Sequence, residues 1–309
     1  MNAIDLFAGC GGLSLGFQNA GFDILFAVDN WGKSNQVYEL NFEHAIHNID
    51  ISKSVNVVEL AENQPIDIVI GGPPCQDFSH AGNRSEGKKA KLTLSYANVI
   101  EAVMPNWFVM ENVDRAFKSD SYKKIRKIFK RLGYGLTEVV LDSSFYGVPQ
   151  KRKRFFCIGK IHEEDGFLID SFNNQKADER MTMRDYFGDQ LGIDYYYRHP
   201  RNYNRRGIFS MDEPSPTVRG VNRPVPAGYP GHHGDPVDLF PELRPLSTLE
   251  RSLVQTFPAD FNWVGTKTNL EQMIGNAVPV LLAQSVAEVI ENYQQTCDLA
   301  ETQNLELAF

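Results

Sequence analysis

Cysteine is scarce in this chain: Cys10, Cys75, Cys157 and Cys297 are the four among 309 residues. They lie far apart with no C-x-x-C pair, so neither a zinc site nor a disulfide scaffold is indicated, and a reducing, intracellular setting fits. No apolar run approaches the roughly 20 residues that cross a bilayer, and Met1 leads into a strand-like segment rather than a leader peptide. The stretch from Ser285 to Phe309 holds five acids and no lysine or arginine. The net charge of −8 argues mildly against a nucleic-acid partner, yet Arg198 to Arg223 carries six arginines against Asp212 and Glu213. Local basic surface, not total charge, decides phosphate binding. The spacing G-x-G-x-x-G is absent, so no pyrophosphate is specifically indicated. What remains, 42% hydrophobic and 23% charged residues, suits one large domain carrying a smaller one.

The chain opens on a strand, Ala3 to Ala8, then Gly9-Cys10-Gly11-Gly12, then a helix led by Leu13, Leu15 and Phe17. Strand, glycine turn and helix begin a nucleotide-binding βαβ unit, where glycines let backbone approach a ligand and the helix start offers free N–H groups. A second strand, Phe22 to Val28, ends at Asp29, whose carboxylate can accept from ribose hydroxyls. Trp31 can stack on an adenine or belong to the core. Asp50-Ile51 ends a short third strand, and Asp50 reads either as an acceptor for an adenine amino group or as a helix cap.

Ile66 to Ile70 is a buried strand that runs into Gly71-Gly72-Pro73-Pro74-Cys75-Gln76. Two prolines stiffen the turn, so Cys75 sits as a nucleophile would, ahead of a polar loop with Gly82 and Gly87; an ordinary loop cysteine is the alternative. Trp107 to Met110 is a further strand ending at Glu111-Asn112-Val113. Parallel strand ends share one ligand-binding edge, which places Glu111 with Cys75, Asp29 and Asp50. Glu111 is a proton donor there, or else a salt-bridged structural acid. Ser121 to Leu132 carries six cations opposite an apolar stripe, the pattern of a solvated helix face. In Gln150-Lys151-Arg152-Lys153-Arg154, extended geometry puts Gln150, Arg152 and Arg154 on one face. Their guanidiniums suit carboxylates, phosphates or a base carbonyl, although an alternating basic strand can also be a guarded sheet edge.

Taken in order, DLFAGCGG, GGPPCQ, ENV, QKRKR and GNAVP resemble the motifs of the cytosine-5 DNA methyltransferases of bacterial type. The resemblance runs along nearly the whole chain and implies an α/β, Rossmann-like S-adenosylmethionine-dependent fold, with a mixed, mostly parallel sheet and a smaller irregular target-recognition domain. It implies S-adenosylmethionine as cofactor, leaving as S-adenosylhomocysteine, with no metal. Cofactor contacts fall on Phe7, Gly9, Gly11, Asp29, Trp31, Asp50, Ile51, Pro73, Leu92 and Asn276. Cys75 becomes the nucleophile that adds to cytosine carbon 6 and Glu111 the acid at ring nitrogen 3. Arg154 reaches the base carbonyl and Arg152 orients Glu111 or the thiol. Since a stacked base cannot reach a thiol, the target cytosine is flipped out, and the Gln76–Lys91 loop closes over it, with Gln76, Ser79 and Arg84 toward DNA. Two departures stand out: Lys88-Lys89-Ala90-Lys91 replaces the family's acidic, arginine-containing stretch before Leu92, and Asn30 separates the acid from the aromatic in Asp29-Asn30-Trp31.

From about Thr182 the periodic pattern gives way to an arginine- and tyrosine-rich, Gly/Pro-rich stretch, a long loop insertion or a functional one. The resemblance makes it the recognition domain, so the expected division is 1–180 catalytic, 181–267 recognition and 268–309 returning to the catalytic domain. Arg198, Thr217 and Arg219 are its expected DNA contacts. Ser247-Thr248-Leu249-Glu250 has the form of a capping box. The expected partner is duplex DNA, methylated by a cytoplasmic bacterial monomer with a separate cognate restriction endonuclease or as an orphan enzyme. A tRNA-acting branch of the fold typically shows Cys-Phe-Thr in this region, a triplet absent here. A catalytically silent DNA-binding regulator is the other rival, opposed by intact Cys75, Glu111, Arg152 and Arg154.

Overall fold

The computed structural model describes residues 1–52, 55–74 and 86–306. Strand and helix alternate through β1 (Asn2–Leu6), α1 (Gly12–Asn19), β2 (Asp23–Asp29), α2 (Gly32–Glu39), β3 (Ala45–Asn48), α3 (Val55–Ala61), β4 (Ile68–Gly71), α4 (Glu86–Val103), β5 (Trp107–Val113) and α5 (Asp120–Arg131). Then come β6 (Tyr134–Asp142), the short β7 (Gln150–Lys151), β8 (Lys153–Ile161), α6 (Ile169–Gln175) and α7 (Met183–Phe187). The second part holds β9 (Tyr195–Tyr197), β10 (Ile208–Ser210), β11 (Ser215–Pro216), α8 (Thr248–Val254), α9 (Lys267–Asn276) and α10 (Val280–Glu306).

Seven strands form one sheet in the order β3-β2-β1-β4-β5-β8-β6. The first five pair in parallel, and β8 lies antiparallel between β5 and β6. Both faces of the central strands are buried because β4, β5 and β8 are near-continuous apolar runs. Ile68, Ile70, Trp107, Val109, Phe156 and Ile158 meet α1, α6 and α10. Their neighbours Val69, Phe108, Met110, Phe155 and Cys157 meet α3, α4 and α5. The 267–300 stretch is long and apolar enough to cross a membrane by composition, contrary to the reading of the sequence. Its apolar residues Leu282, Ala283, Val286 and Ile290 are buried in the core, which accounts for that composition.

Polar residues finish the pattern. Ser247 caps α8 and Glu250 completes the box. Four of the six cations of α5 are paired at the surface: Lys123 with Asp120, Arg126 with Glu138 and Asp165, Lys130 with Asp165, and Arg131 with Glu101. β3 ends at Asn48, two residues before Asp50, because Asp50 turns the chain and accepts from the Ser52 N–H at 2.9 Å.

Beneath the β1–α1 turn lies a buried polar chain. Ser14 Oγ donates to Asp5 at 2.6 Å, and Tyr38 donates to Ser14 at 2.7 Å while its oxygen lies 2.6 Å from His44 Nε2. Burial, opposed by the Ser14 hydrogen bond and aided by the Asp29 charge, pushes Asp5 up from 3.8 to about 7. A carboxyl whose folded pKa exceeds its unfolded value stabilises most when protonated, so this group's contribution falls as pH rises from about 4 to about 7. Asp5→Asn keeps an acceptor for Ser14 but cannot ionise. Its urea midpoint should fall less between pH 5 and pH 8 than that of the wild type, and parallel curves would refute the assignment.

Candidate active site

The register of the parallel strands builds the site. Leu6 lies opposite Val28 and Gly71, and Gly71 lies opposite Met110, so Phe7, Asp29, Gly72 and Glu111 follow together at one edge. The turn after β1 is shaped by Phe7 and Gly9, at φ of 65° and 59°, and by Gly11 at 95°. The two glycines do different work. A Cβ on Gly9 would meet nothing within 4 Å, whereas one on Gly11 would strike the Phe42 ring. Gly9 therefore leaves open space at the turn, and Gly11 lets α1 start against Tyr38 and Phe42.

Asp29 holds this turn from below: it accepts from the Gly9 N–H at 2.9 Å and from the Trp31 N–H at 2.7 Å. Burial pushes its pKa up, opposed by those backbone donors. Asn30, to which the reading of the sequence gave no role, is exposed between Asp29 and the half-buried Trp31. Ile51 is buried in the core beside Val28, and Leu92 is half-buried on α4. Exposed Asn276 ends α9 and accepts from Gln272 at 2.8 Å. Its segment is pressed against the turn, since a Cβ on Gly12 would lie 2.3 Å from the Val278 carbonyl.

Glu111 lies one residue beyond Met110, buried, with its carboxylate over Gly72, where a Cβ would stand 3.0 Å from Oε2. β8 brings Arg154 opposite Val113, two residues along the same face, so Arg154 Nε reaches Glu111 Oε1 at 2.8 Å. Burial raises the Glu111 pKa, while the charges of Arg154 and Arg152 oppose the rise. Asn112 donates from Nδ2 to the buried Pro73 carbonyl at 2.9 Å. ENV thus positions its acid and also ties down the turn that leads to the cysteine, a role for Asn112 not legible in its sequence motif. Cys75, Gln76, Ser79 and Arg84 lie outside the described residues.

Arg152 departs from expectation. It is buried, and its guanidinium donates to the carbonyls of Val218 at 3.0 Å and of Gly275 and Ala277 at 2.9 Å. It faces Glu111 only as a nearby charge. Gln150 works beside it, accepting from the Val218 N–H and donating to Gln255, both at 2.7 Å. Gln255 in turn donates to the carbonyls of Ile274 and Ala277. The expected recognition residues are partly committed too. Thr217 donates to the Lys151 carbonyl, Arg198 to the Thr217 carbonyl, both at 2.8 Å, and Arg219 to that of His199. All three line a cleft of about 790 Å³ with Arg154, Lys151 and Lys153.

A family model, C-5 cytosine-specific DNA methylase, matches residues 1–292. The chain belongs to this family. It is a DNA cytosine-5 methyltransferase, and S-adenosylmethionine is the cofactor the family implies. It is 53% identical to the Type II methyltransferase M.HindV of Haemophilus influenzae, over 96% of this chain and 98% of that one. It is 52% identical to the Type II methyltransferase M.HgiDI of Herpetosiphon aurantiacus, over 95% of both. In fold it resembles the crystal structure of S. pombe Dnmt2 methyltransferase, with a TM-score of 0.71 at 20% identity, covering 95% of this methylase and 99% of that chain. A Spodoptera frugiperda DNMT2 variant gives 0.67 at 17%, covering 93% and 98%.

Proposed function

We propose that this methylase adds a methyl group to carbon 5 of a cytosine flipped out of a specific duplex sequence, through a covalent bond to Cys75. The observation that carries it is the buried Glu111–Arg154 pair at the sheet edge, opening on a basic cleft and standing over the turn that leads into Cys75. S-adenosylmethionine, when bound, supplies the methyl group on a positively charged sulfur. The open space at Gly9 and the exposed Asn30 fit such a ligand, with Phe7, Asp29, Trp31, Asp50, Ile51, Pro73, Leu92 and Asn276 as its surroundings and Gly11 as the packing glycine that shapes the turn.

Carbon 5 of cytosine is a poor nucleophile. Addition of the Cys75 thiolate to carbon 6 forms a C–S bond and pushes an electron pair through the ring, which gives carbon 5 enamine character. Glu111 in its acid form gives its proton to ring nitrogen 3, where the charge of that addition would otherwise collect. Arg154 steadies Glu111 and faces the base carbonyl, and Arg152 acts as a positioning residue. After methylation a water takes the proton from carbon 5. The electron pair of that C–H bond re-forms the ring double bond and expels the Cys75 thiolate, and nitrogen 3 returns its proton to Glu111. Gln76, Ser79 and Arg84 would meet the DNA around the emptied stack, and Arg198, Thr217 and Arg219 hold and line the recognition side of the cleft. The division into 1–180, 181–267 and 268–309 follows this assignment. The Type II names of the relatives support a place in a bacterial restriction–modification system, where the enzyme acts as a cytoplasmic monomer and a separate endonuclease cuts unmodified sites.

Methyl transfer to duplex DNA, against a tRNA pool, tests this reading, with bisulfite sequencing to locate the product. Methylation of tRNA alone would overturn it. Glu111→Gln should slow single-turnover transfer by about 10²–10⁴-fold with duplex binding intact. Because burial raises the Glu111 pKa, the acid form persists above the usual carboxylate range and the wild-type rate falls as pH rises through it. That limb should vanish in Glu111→Gln; a variant with a normal rate would end the proton-donor role.

A further inference from the structure

The arginines of the second part divide into committed and uncommitted ones. β9 and β10 pair antiparallel, with Tyr197 opposite Ile208 and Tyr195 opposite Ser210, and the 198–207 loop joins them. The stem is rigid. Tyr197 and Ile208 are buried against Tyr229, and the Tyr229 hydroxyl donates to Asp235, which accepts from the Gly207 and Ile208 N–H groups. At the base of the loop, Arg206 pairs with Glu213 and lies over the Phe209 ring at 4.3 Å, and Arg198 holds the Thr217 carbonyl.

At the tip, Arg201 and Arg205 are exposed, and among the described residues no carboxylate lies within ion-pair reach of either. Tyr203 between them packs its ring against His199 and Tyr229, which seats the tip on the stem. Both guanidiniums line the same cleft as Arg154. They crowd Arg219 with like charge, so the cluster is built for an acceptor that the protein itself does not supply.

We propose that Arg201 and Arg205, on the tip of the β9–β10 ribbon, read guanine edges in the DNA major groove and set the sequence this methylase selects. The proposal rests on the functional reading above. The strands of the ribbon are buried, so it is the exposed 201–205 tip that projects into the cleft, and a guanidinium there matches guanine O6 and N7 with two donors. A reader needs an uncommitted planar donor on a stiff support, and these two residues meet both conditions. Lys151 and Lys153, flexible point charges in the same cleft, suit phosphates instead.

The test maps wild-type methylation on a randomised duplex library by bisulfite sequencing, then repeats it with Arg201→Ala, Arg205→Ala and the charge-retaining Arg201→Lys and Arg205→Lys. Each alanine variant should lose about tenfold or more of discrimination at a G·C position. The lysine variants should relax the same position while keeping the salt dependence, and they carry the test should an alanine variant fail to fold by thermal melting. A uniform fall at all sites with a shallower salt slope would make these residues phosphate contacts and overturn the proposal. So would an unchanged site preference. A wild type that methylates no cytosine in the library would instead sink the functional reading itself.

Discussion

Cys75→Ser protein is expected to bind S-adenosylmethionine and duplex DNA and to transfer no methyl group, a loss of roughly 10⁴-fold or more. A thiol has a few per cent of thiolate near neutral pH, whereas a serine hydroxyl has essentially none without a base beside it. The residues that lead to position 75 are held by the end of β5: Asn112 grips the Pro73 carbonyl at 2.9 Å, and the Glu111 carboxylate sits over Gly72. Replacing sulfur by oxygen leaves these contacts alone, so binding and melting temperature should be unchanged while chemistry stops. A duplex carrying 5-fluorocytosine at the target sharpens the measurement. Fluorine cannot leave carbon 5 as a proton does, so the wild type should arrest as a covalent protein–DNA complex on a denaturing gel. An arrested complex or residual turnover in Cys75→Ser would remove Cys75 as the nucleophile.

The order of the motifs was legible because each occupies a strand end or a turn whose residue types are set locally. The short continuous apolar runs in Ile68–Gly71 and Trp107–Val113 indicated buried strands, and Ser247 with Glu250 indicated a helix start. What stayed hidden depends on partners distant in sequence. Nothing near Arg152 reports that its acceptors lie 66 to 125 residues away, at Val218, Gly275 and Ala277. Asp29 read as a ligand residue, since a carboxylate at a strand end can face either a ribose or the backbone of its own turn. The buried pairing of Arg251 with Glu271, which also accepts from Thr248 and Asn222, left no local signature. Charged residues are usually exposed, so burial of a pair is a tertiary fact.

Arg152→Ala should cost the fold more than any other substitution discussed here. The guanidinium satisfies the buried carbonyls of Val218 and Gly275 and the half-buried one of Ala277, and alanine offers them nothing. Ala277 keeps its Gln255 donor, and a buried polar group left without its partner costs about 1–3 kcal/mol, so the carbonyls of Val218 and Gly275 together amount to roughly 2–6 kcal/mol. That is a large share of the about 5–15 kcal/mol that keeps a domain folded. Arg152→Lys should lose less, because an ammonium can still donate to some of these carbonyls, though it lacks the planar fork that reaches them together. The functional effect should be as broad as the contact set: Val218 lies between Thr217 and Arg219, which line the cleft, and Gly275 and Ala277 flank Asn276 beside the glycine turn. Weakened binding of both S-adenosylmethionine and DNA is therefore expected in Arg152→Ala at temperatures where it remains folded, alongside a lowered urea midpoint. A loss below about 1 kcal/mol would mean that water replaces the guanidinium without penalty, and the bridge between the two sides of the site would then rest on Gln150 and Gln255 alone.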